Sequence, residues 1–322
     1  MKKIILTYVL IAAFILGLVL LGKYIIKPDY DNQTKNPYEL NLDSIGQIAK
    51  EKYGDYHSSI FALPFKTAKA LAVDTANNLY VSGDGKMLIL SQTGEKKGEF
   101  ETNKKTATAI AISSDKTIYA AFENQIFTYS ADGKILQKGP VFEAESYITS
   151  IAIHADLVYM ADAALALVYV YKTDGTFVRS IGARDNKDVS TFILPSYYFD
   201  VAVAPDGTPW VANTGKHKLV NFGSDGELKT SWGEPSSDVE GFCGCCNPSH
   251  FAILEDGSFI TAEKGIVRVK KYSAEGKFEC AVAGPERFKP GATGLDIAVN
   301  SENEILVLEP GAGKIHLFKS KR

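Results

Sequence analysis

The chain is patterned in short apolar runs separated by polar turns, a rhythm that predicts β-strands over most of its length. Six runs centre on an alanine: Leu71-Ala72-Val73, Ile110-Ala111-Ile112, Ile151-Ala152-Ile153, Val201-Ala202-Val203, Phe251-Ala252-Ile253 and Ile297-Ala298-Val299. The central alanines are spaced by 39, 41, 50, 50 and 46 residues. Each run meets a turn such as Asn77-Asn78, Asp206-Gly207 or Asp256-Gly257, then a second apolar run such as Leu79-Tyr80-Val81 or Ile305-Leu306-Val307. A third run, as in Val168 to Tyr171 or Ile315 to Phe318, leads in most units to another tight turn, among them Thr93-Gly94, Asp132-Gly133 and Glu275-Gly276. Glycine there supplies backbone angles that other residues adopt only at a cost. A fourth run, such as Phe177 to Ile181, closes the unit.

Four short strands in a unit of about 45 residues is the arithmetic of a propeller blade. One blade cannot bury both of its faces, whereas six in a ring can, and the ring leaves no long open edge. The predicted fold is therefore all-β: a six-bladed β-propeller of four-stranded antiparallel blades over residues 53–322. The sixth unit reaches Arg322 after its third strand, while an unclaimed strand-like segment, Ser58 to Leu63, precedes the first unit. That segment is predicted to supply the missing strand and close the ring.

The first residues break the pattern. Lys2 and Lys3 precede an apolar run from Ile4 to Gly22 interrupted only by Thr7. A bilayer core needs about 20 apolar helical residues, and this run just meets that length. It is longer than a secretory signal's apolar region, and no Ala-x-Ala pattern or nearby cysteine follows it. Residues 1–27 are thus expected to form a retained signal anchor, a single transmembrane helix entering the membrane through residues 4–22. The lysines before it favour a cytoplasmic N-terminus by a small margin, which would place the rest outside the cytoplasm, in a periplasmic or equivalent space. Residues 28–52, polar with Pro28 and Pro37, read as a tether.

The units resemble NHL repeats, in which an Ile-Ala-Val-Asp-like strand and a Gly-Asn turn precede a Tyr-Val-Ala-Asp-like strand, an Ile-x-Val-Phe strand and Asp-Gly. Leu71-Ala72-Val73-Asp74 through Val81 follows that pattern, as does Val201 through Asn213; the third unit departs from it at Ala161-Asp162-Ala163-Ala164. The resemblance covers residues from about 55 to 322 and implies a fold, which can host many activities. The stretch Gly244-Cys245-Cys246-Asn247-Pro248-Ser249-His250, followed by Glu263-Lys264-Gly265, Val267 to Lys270 and Val282 to Pro285, is similar to a Cys-rich bacterial subset of such proteins.

All four cysteines belong to the fifth unit: Cys243, Cys245 and Cys246 on the loop before its innermost strand, and Cys280 in its outer strand. Three readings stay open. Two disulfides would suit an extracytoplasmic domain with an even count, although adjacent Cys245 and Cys246 do not readily pair with each other. A metal site using the four cysteines and His250 would favour zinc, copper or an iron–sulfur cluster, although the spacing fits no familiar zinc or ferredoxin pattern. A reactive thiol pair is the third.

The repeat register singles out one further position, two residues before each landmark alanine, where the chain enters the innermost strand beside the central channel. Its occupants are Ala70, Ala109, Ser150, Asp200, His250 and Asp296. Asp, His and Asp on three neighbouring blades can bind a divalent metal or transfer protons, or else hydrogen-bond backbone groups of adjacent blades. Tyr197, Tyr198 and Trp210 are expected either to wall this mouth or to pack between blades. Lys264, Arg268, Lys270 and Arg287 are expected on a solvated strand face, with a basic patch as the alternative.

A net charge of −3 gives no general attraction to nucleic acid. No nucleophile elbow, phosphate loop, Rossmann fingerprint or His-Glu-x-x-His motif occurs. The expectation is a membrane-tethered binding module that meets a protein, peptide or glycan on a propeller face. The alternatives are a redox or metal protein built on the cysteines and a metal-dependent hydrolase or lyase with its site in the channel.

Overall fold

The computed structural model describes residues 14–18, 20, 46–102, 105–182 and 192–321. It divides into two compact units, residues 1–41 and 42–322. In the first, residues 14–18 and 20 are helical, and most of the predicted membrane segment, 4–22, lies outside the described residues. Among the described residues no helix is long and apolar enough to cross a membrane.

The second unit is a six-bladed propeller of four-stranded antiparallel sheets. Blade one starts from the innermost strand Ala68–Val73, blade two from Ala109–Ile112, blade three from Ile148–His154, blade four from Val201–Val203, blade five from His250–Ile253 and blade six from Asp296–Val299. The first five blades take four consecutive strands each. In blade six the outermost strand is Tyr56–Ala62, from before the first blade, paired antiparallel to Lys314–Ser320 with Ser59 opposite Leu317. The ring is closed by the segment the sequence leaves unclaimed.

Alternation along the strands places apolar side chains on both faces of every sheet, and each face meets a neighbour. Six clusters of buried residues result among the described residues, one at each blade interface. The closing interface joins Leu306, Leu308, Ile315 and Leu317 of blade six to Leu71, Leu79, Val81 and Leu88 of blade one. Burying a side chain of this size is worth roughly 1.5–3 kcal/mol, so the closing interface is as substantial as the sequential ones.

The outer strand of each blade also braces the turn of the next. A Cβ on Gly276, in the last turn of blade five, would come within 2.3 Å of the Trp232 ring in the outer strand of blade four. Gly94 of blade one meets Phe61 of the closing strand in the same way, at 2.7 Å. Cys280 occupies this bracing position in blade five, and its partner is Gly54, whose Cβ would lie 2.7 Å from the sulfur. Blade six has no third-to-fourth turn of its own, so the chain just before the closing strand takes that place. Tyr53 there bridges Ala281. The end of the predicted tether also reaches blade five: a Cβ on Gly46 would touch Ile266 and Pro285, and Lys52 pairs with Glu240 at 2.6 Å.

Candidate functional site

The innermost strands of all six blades line a central cavity of about 230 Å³. Ala109, Ser150, Asp200, His250 and Asp296 line it, as the register predicts; in blade one Leu71 does so, next to Ala70. At one end it opens into a wider mouth of about 490 Å³, whose wall includes Lys69, Tyr147, Thr149, Tyr197, Tyr198 and Thr293. Lys69, Thr108, Thr149 and His250 line both spaces. Tyr198 stands edge-on to the His250 ring at 6.1 Å, and the 65 % exposed Tyr197 packs on Tyr147 at 5.4 Å. Trp210 lies elsewhere, between blades four and five against Phe259.

The three titratable residues of the channel meet. His250 Nδ1 lies 3.6 Å from Asp200 Oδ2 and 3.7 Å from Asp296 Oδ1. Both carboxylates also bind backbone. Asp200 accepts the amides of Val201 and of Phe251 in the next blade, at 2.9 and 2.8 Å. Asp296 accepts those of Ile297 and of Leu71 across the ring closure, at 2.9 and 2.7 Å. Thr108 and Thr149 extend the pattern by donating to the Ile148 and Phe199 carbonyls of their following blades. The carboxylates therefore staple blades together, as the structural alternative holds, and hold His250 between them.

This crowding moves the protonation equilibria. Burial pushes the Asp296 carboxyl up; the His250 charge and the amides of Leu71 and Ile297 pull it down, the Asp200 charge pushes it up again, and it settles at about 6. Burial pushes the His250 imidazole down, but contact with Asp200 and the charges of both aspartates outweigh it and leave it above its ordinary value.

The cysteine loop stands beside this mouth and is clamped at several points. The Cys243 amide donates to Glu263 Oε1 at 2.9 Å. Asn247 Nδ2 donates to the Cys243 and Lys264 carbonyls, and Asn247 Oδ1 accepts the Lys264 amide at 2.9 Å. His217 Nε2 bonds the Gly244 carbonyl, a role that its isolated place in the sequence gives no sign of. The sulfurs of Cys245 and Cys246 lie 3.2 Å apart, Cys245 exposed and Cys246 only 1 % exposed. Lys264 sits over the Tyr198 ring at 4.9 Å and beside Cys246, which links the loop to the channel mouth.

Cys280 does not join them. It belongs to the outermost strand of the sheet whose innermost strand begins at His250. Three interstrand steps of about 4.8 Å separate the two strands. Among the described residues no group of three or more His, Cys, Asp or Glu is placed to hold a metal ion. The four cysteines and His250 are thus not gathered into the single ligand set that zinc, copper or an iron–sulfur cluster would need, and the blade's width sets Cys280 apart from the rest.

The basic residues of blade five also depart from expectation. Arg268 and Lys270 are fully buried rather than on a solvated face or patch, and both meet Glu263. Arg268 donates to both Glu263 oxygens, at 2.6 and 3.1 Å, and Lys270 Nζ lies 3.2 Å from Oε2. Lys270 also donates to the Gly241 carbonyl at 2.6 Å and stands over the rings of Phe242 and Tyr272. This cluster anchors the loop from below. Lys264 reaches the mouth only through Tyr198, over whose ring it stands; Arg287 lines a separate groove with Tyr53 and Glu286.

Comparison with protein-family models gives no match, and comparison with curated proteins gives none either. Solved structures do match. A streptogramin B lyase is 13 % identical, with a TM-score of 0.58 over 82 % of this chain and 98 % of its own. The virginiamycin B lyase of Staphylococcus aureus is 11 % identical, with a TM-score of 0.58 over 82 % of this chain and 99 % of its own. A Bacteroides caccae protein of unknown function is 12 % identical, with a TM-score of 0.53 over 72 % and 95 %. At such identities the likeness is one of architecture, and the chain is a six-bladed β-propeller that shares its fold with these proteins.

Proposed function

We propose that the chain is a binding module of NHL-like blades that receives the end of a glycan or peptide in the channel mouth. In this reading residues 4–22 tether it to a membrane and the propeller stands outside the cytoplasm, which rests on the length of the apolar run. The observation that carries the binding reading is the makeup of the mouth: tyrosine rings, hydroxyls and a lysine surround a space of about 490 Å³ with His250 at its floor. Aromatic faces beside convergent polar groups suit a small amphipathic ligand. The test is a glycan and peptide array probed with the full chain in detergent, then with a Tyr197→Ala/Tyr198→Ala variant. Selective binding that the variant loses by tenfold or more is expected. Binding that the variant retains unchanged would overturn the assignment.

One observation favours a second reading, a channel-centred lyase or hydrolase: a histidine between two carboxylates on the cavity wall of a fold shared with lyases. Against it stands the engagement of both carboxylates with backbone amides. Turnover of a captured ligand that His250→Gln abolishes while binding persists would favour the enzyme.

A further inference from the structure

We propose that Cys245 and Cys246 form a dithiol that exchanges with disulfide substrates, cycling between two thiols and a vicinal disulfide. The inference does not rest on the ligand of the mouth. Three independent features support it.

The first is proximity. The sulfurs are already 3.2 Å apart, so closing a bond of about 2.05 Å needs a displacement of only about 1 Å. The clamped loop holds them there through the Cys243 amide on Glu263, the Asn247 side chain on Cys243 and Lys264, and His217 on Gly244. The second is division of labour. Cys245 is exposed and can meet a substrate, whereas Cys246 is enclosed and can act only on its neighbour. The third is the polar setting of Cys246. The Ser196 hydroxyl, an otherwise unsatisfied buried atom, and the Lys264 ammonium both stand beside it. Burial pushes the Cys246 thiol up, but Ser196, the Cys245 thiol and Lys264 together bring it below its ordinary value; the same pairing pushes Cys245 up. The resolving sulfur is thus the more readily ionised of the two.

The exchange balances as follows. A disulfide R–S–S–R meets Cys245, whose thiolate, its proton passed to solvent, attacks one sulfur. A Cys245–S–S–R bond forms and R–S⁻ leaves. The Cys246 thiolate then attacks Cys245 Sγ, the vicinal bond forms and the second R–S⁻ leaves. Two cysteine thiols are oxidised, one disulfide is reduced, and the two thiol protons end on the two released thiols. Neighbouring Cα atoms across a trans peptide are about 3.8 Å apart, closer than in most disulfides, so the vicinal bond is strained and readily reduced. That suits a bond made and broken in exchange rather than one that staples the fold.

The test uses the full chain in detergent, reduced, freed of reductant and incubated with glutathione disulfide. Reaction is quenched by alkylation and read by peptide mass. The expected product has lost two hydrogens within the peptide carrying Cys245 and Cys246, with Cys243 and Cys280 alkylated and two glutathione thiols released per chain. Cys246→Ser should stop at a glutathione adduct on Cys245, and Cys245→Ser should form none at Cys246. Lys264→Met should lengthen the life of the Cys245 adduct several-fold, and Lys264→Arg should restore the short wild-type lifetime. Pairing of Cys246 with Cys243 or Cys280, a wild-type reaction that stops at the adduct, or no consumption of glutathione disulfide would each overturn the proposal. The wild-type mapping decides it even where a variant fails to fold.

Discussion

Asp296, at the start of the last blade, accepts the backbone amide of Leu71 in the first at 2.7 Å, so one carboxylate ties the two ends of the ring together. Hydrogen bonds to charged groups are worth about 1.5–3 kcal/mol, and a buried amide left without a partner costs a similar amount. Asp296→Ala should therefore destabilise the propeller by about 2–3 kcal/mol in denaturant unfolding. Asp296→Asn, which keeps an acceptor oxygen, should cost roughly half as much.

The same residue gives stability a pH dependence. Its folded value of about 6 lies above the ordinary aspartate value of about 3.9, so between these limits the folded chain holds a proton that the unfolded chain has released. Its contribution is fully present below about pH 4 and is lost as pH rises through 6. The raised His250 acts with the same sign, its contribution being present below its ordinary value of 6.5 and lost as pH rises through the higher folded value. At about 1.4 kcal/mol per pH unit, the aspartate alone accounts for up to about 3 kcal/mol. The stability of wild type relative to Asp296→Asn should fall between pH 4 and pH 6. A constant difference would show that the carboxyl titrates as in solvent.

The fold was legible because a propeller writes its period into the chain. The alanine-centred runs mark the innermost strands, and the stretch around Ser58 is the one strand-like segment without a unit to join. The channel residues followed from the same register, since His250 and Asp296 occupy equivalent positions on neighbouring blades and must converge. What the register could not convey was depth within a blade. Cys280 follows Cys246 by only 34 residues, yet those residues run from the innermost strand to the outermost. Arg268 and Lys270 look like surface residues until Glu263, just past the end of the adjacent strand Phe259–Ala262, is seen to neutralise part of their charge. Ser196 gave no signal, because its approach to Cys246 joins loops of two different blades.

The bracing of turns by outer strands predicts unequal costs for two similar substitutions. Gly276 and Gly265 both have positive φ, +79° and +84°, so alanine pays a left-handed penalty of about 1–2 kcal/mol at either. At Gly265 nothing lies within 4 Å of the added carbon, whereas at Gly276 it would strike the Trp232 ring. Gly276→Ala should thus cost about 1–3 kcal/mol more than Gly265→Ala. Equal losses in thermal or denaturant unfolding would mean that the tryptophan moves aside without penalty.

Beneath the cysteine loop, two buried cations share one buried carboxylate, and this asymmetry ranks the substitutions there. Glu263→Gln would leave Arg268 and Lys270 buried without a counter-charge, and breaking a buried pair in this way costs about 3–5 kcal/mol. Lys270→Met removes the surplus cation and keeps the apolar stem between Phe242 and Tyr272, so it should cost far less. Burial pulls the Lys270 ammonium down and the Arg268 charge adds to this; Glu263 and Cys243 oppose it, leaving a value of about 8. The unfolded lysine titrates near 10.4, so between about pH 8 and pH 10 the folded chain has released a proton that the unfolded chain keeps. Wild-type stability relative to Lys270→Met should therefore rise across that window and level off above it. Parallel curves for the two proteins from pH 7 to pH 10 would show that Lys270 keeps its proton, and that the cluster holds its full excess charge throughout.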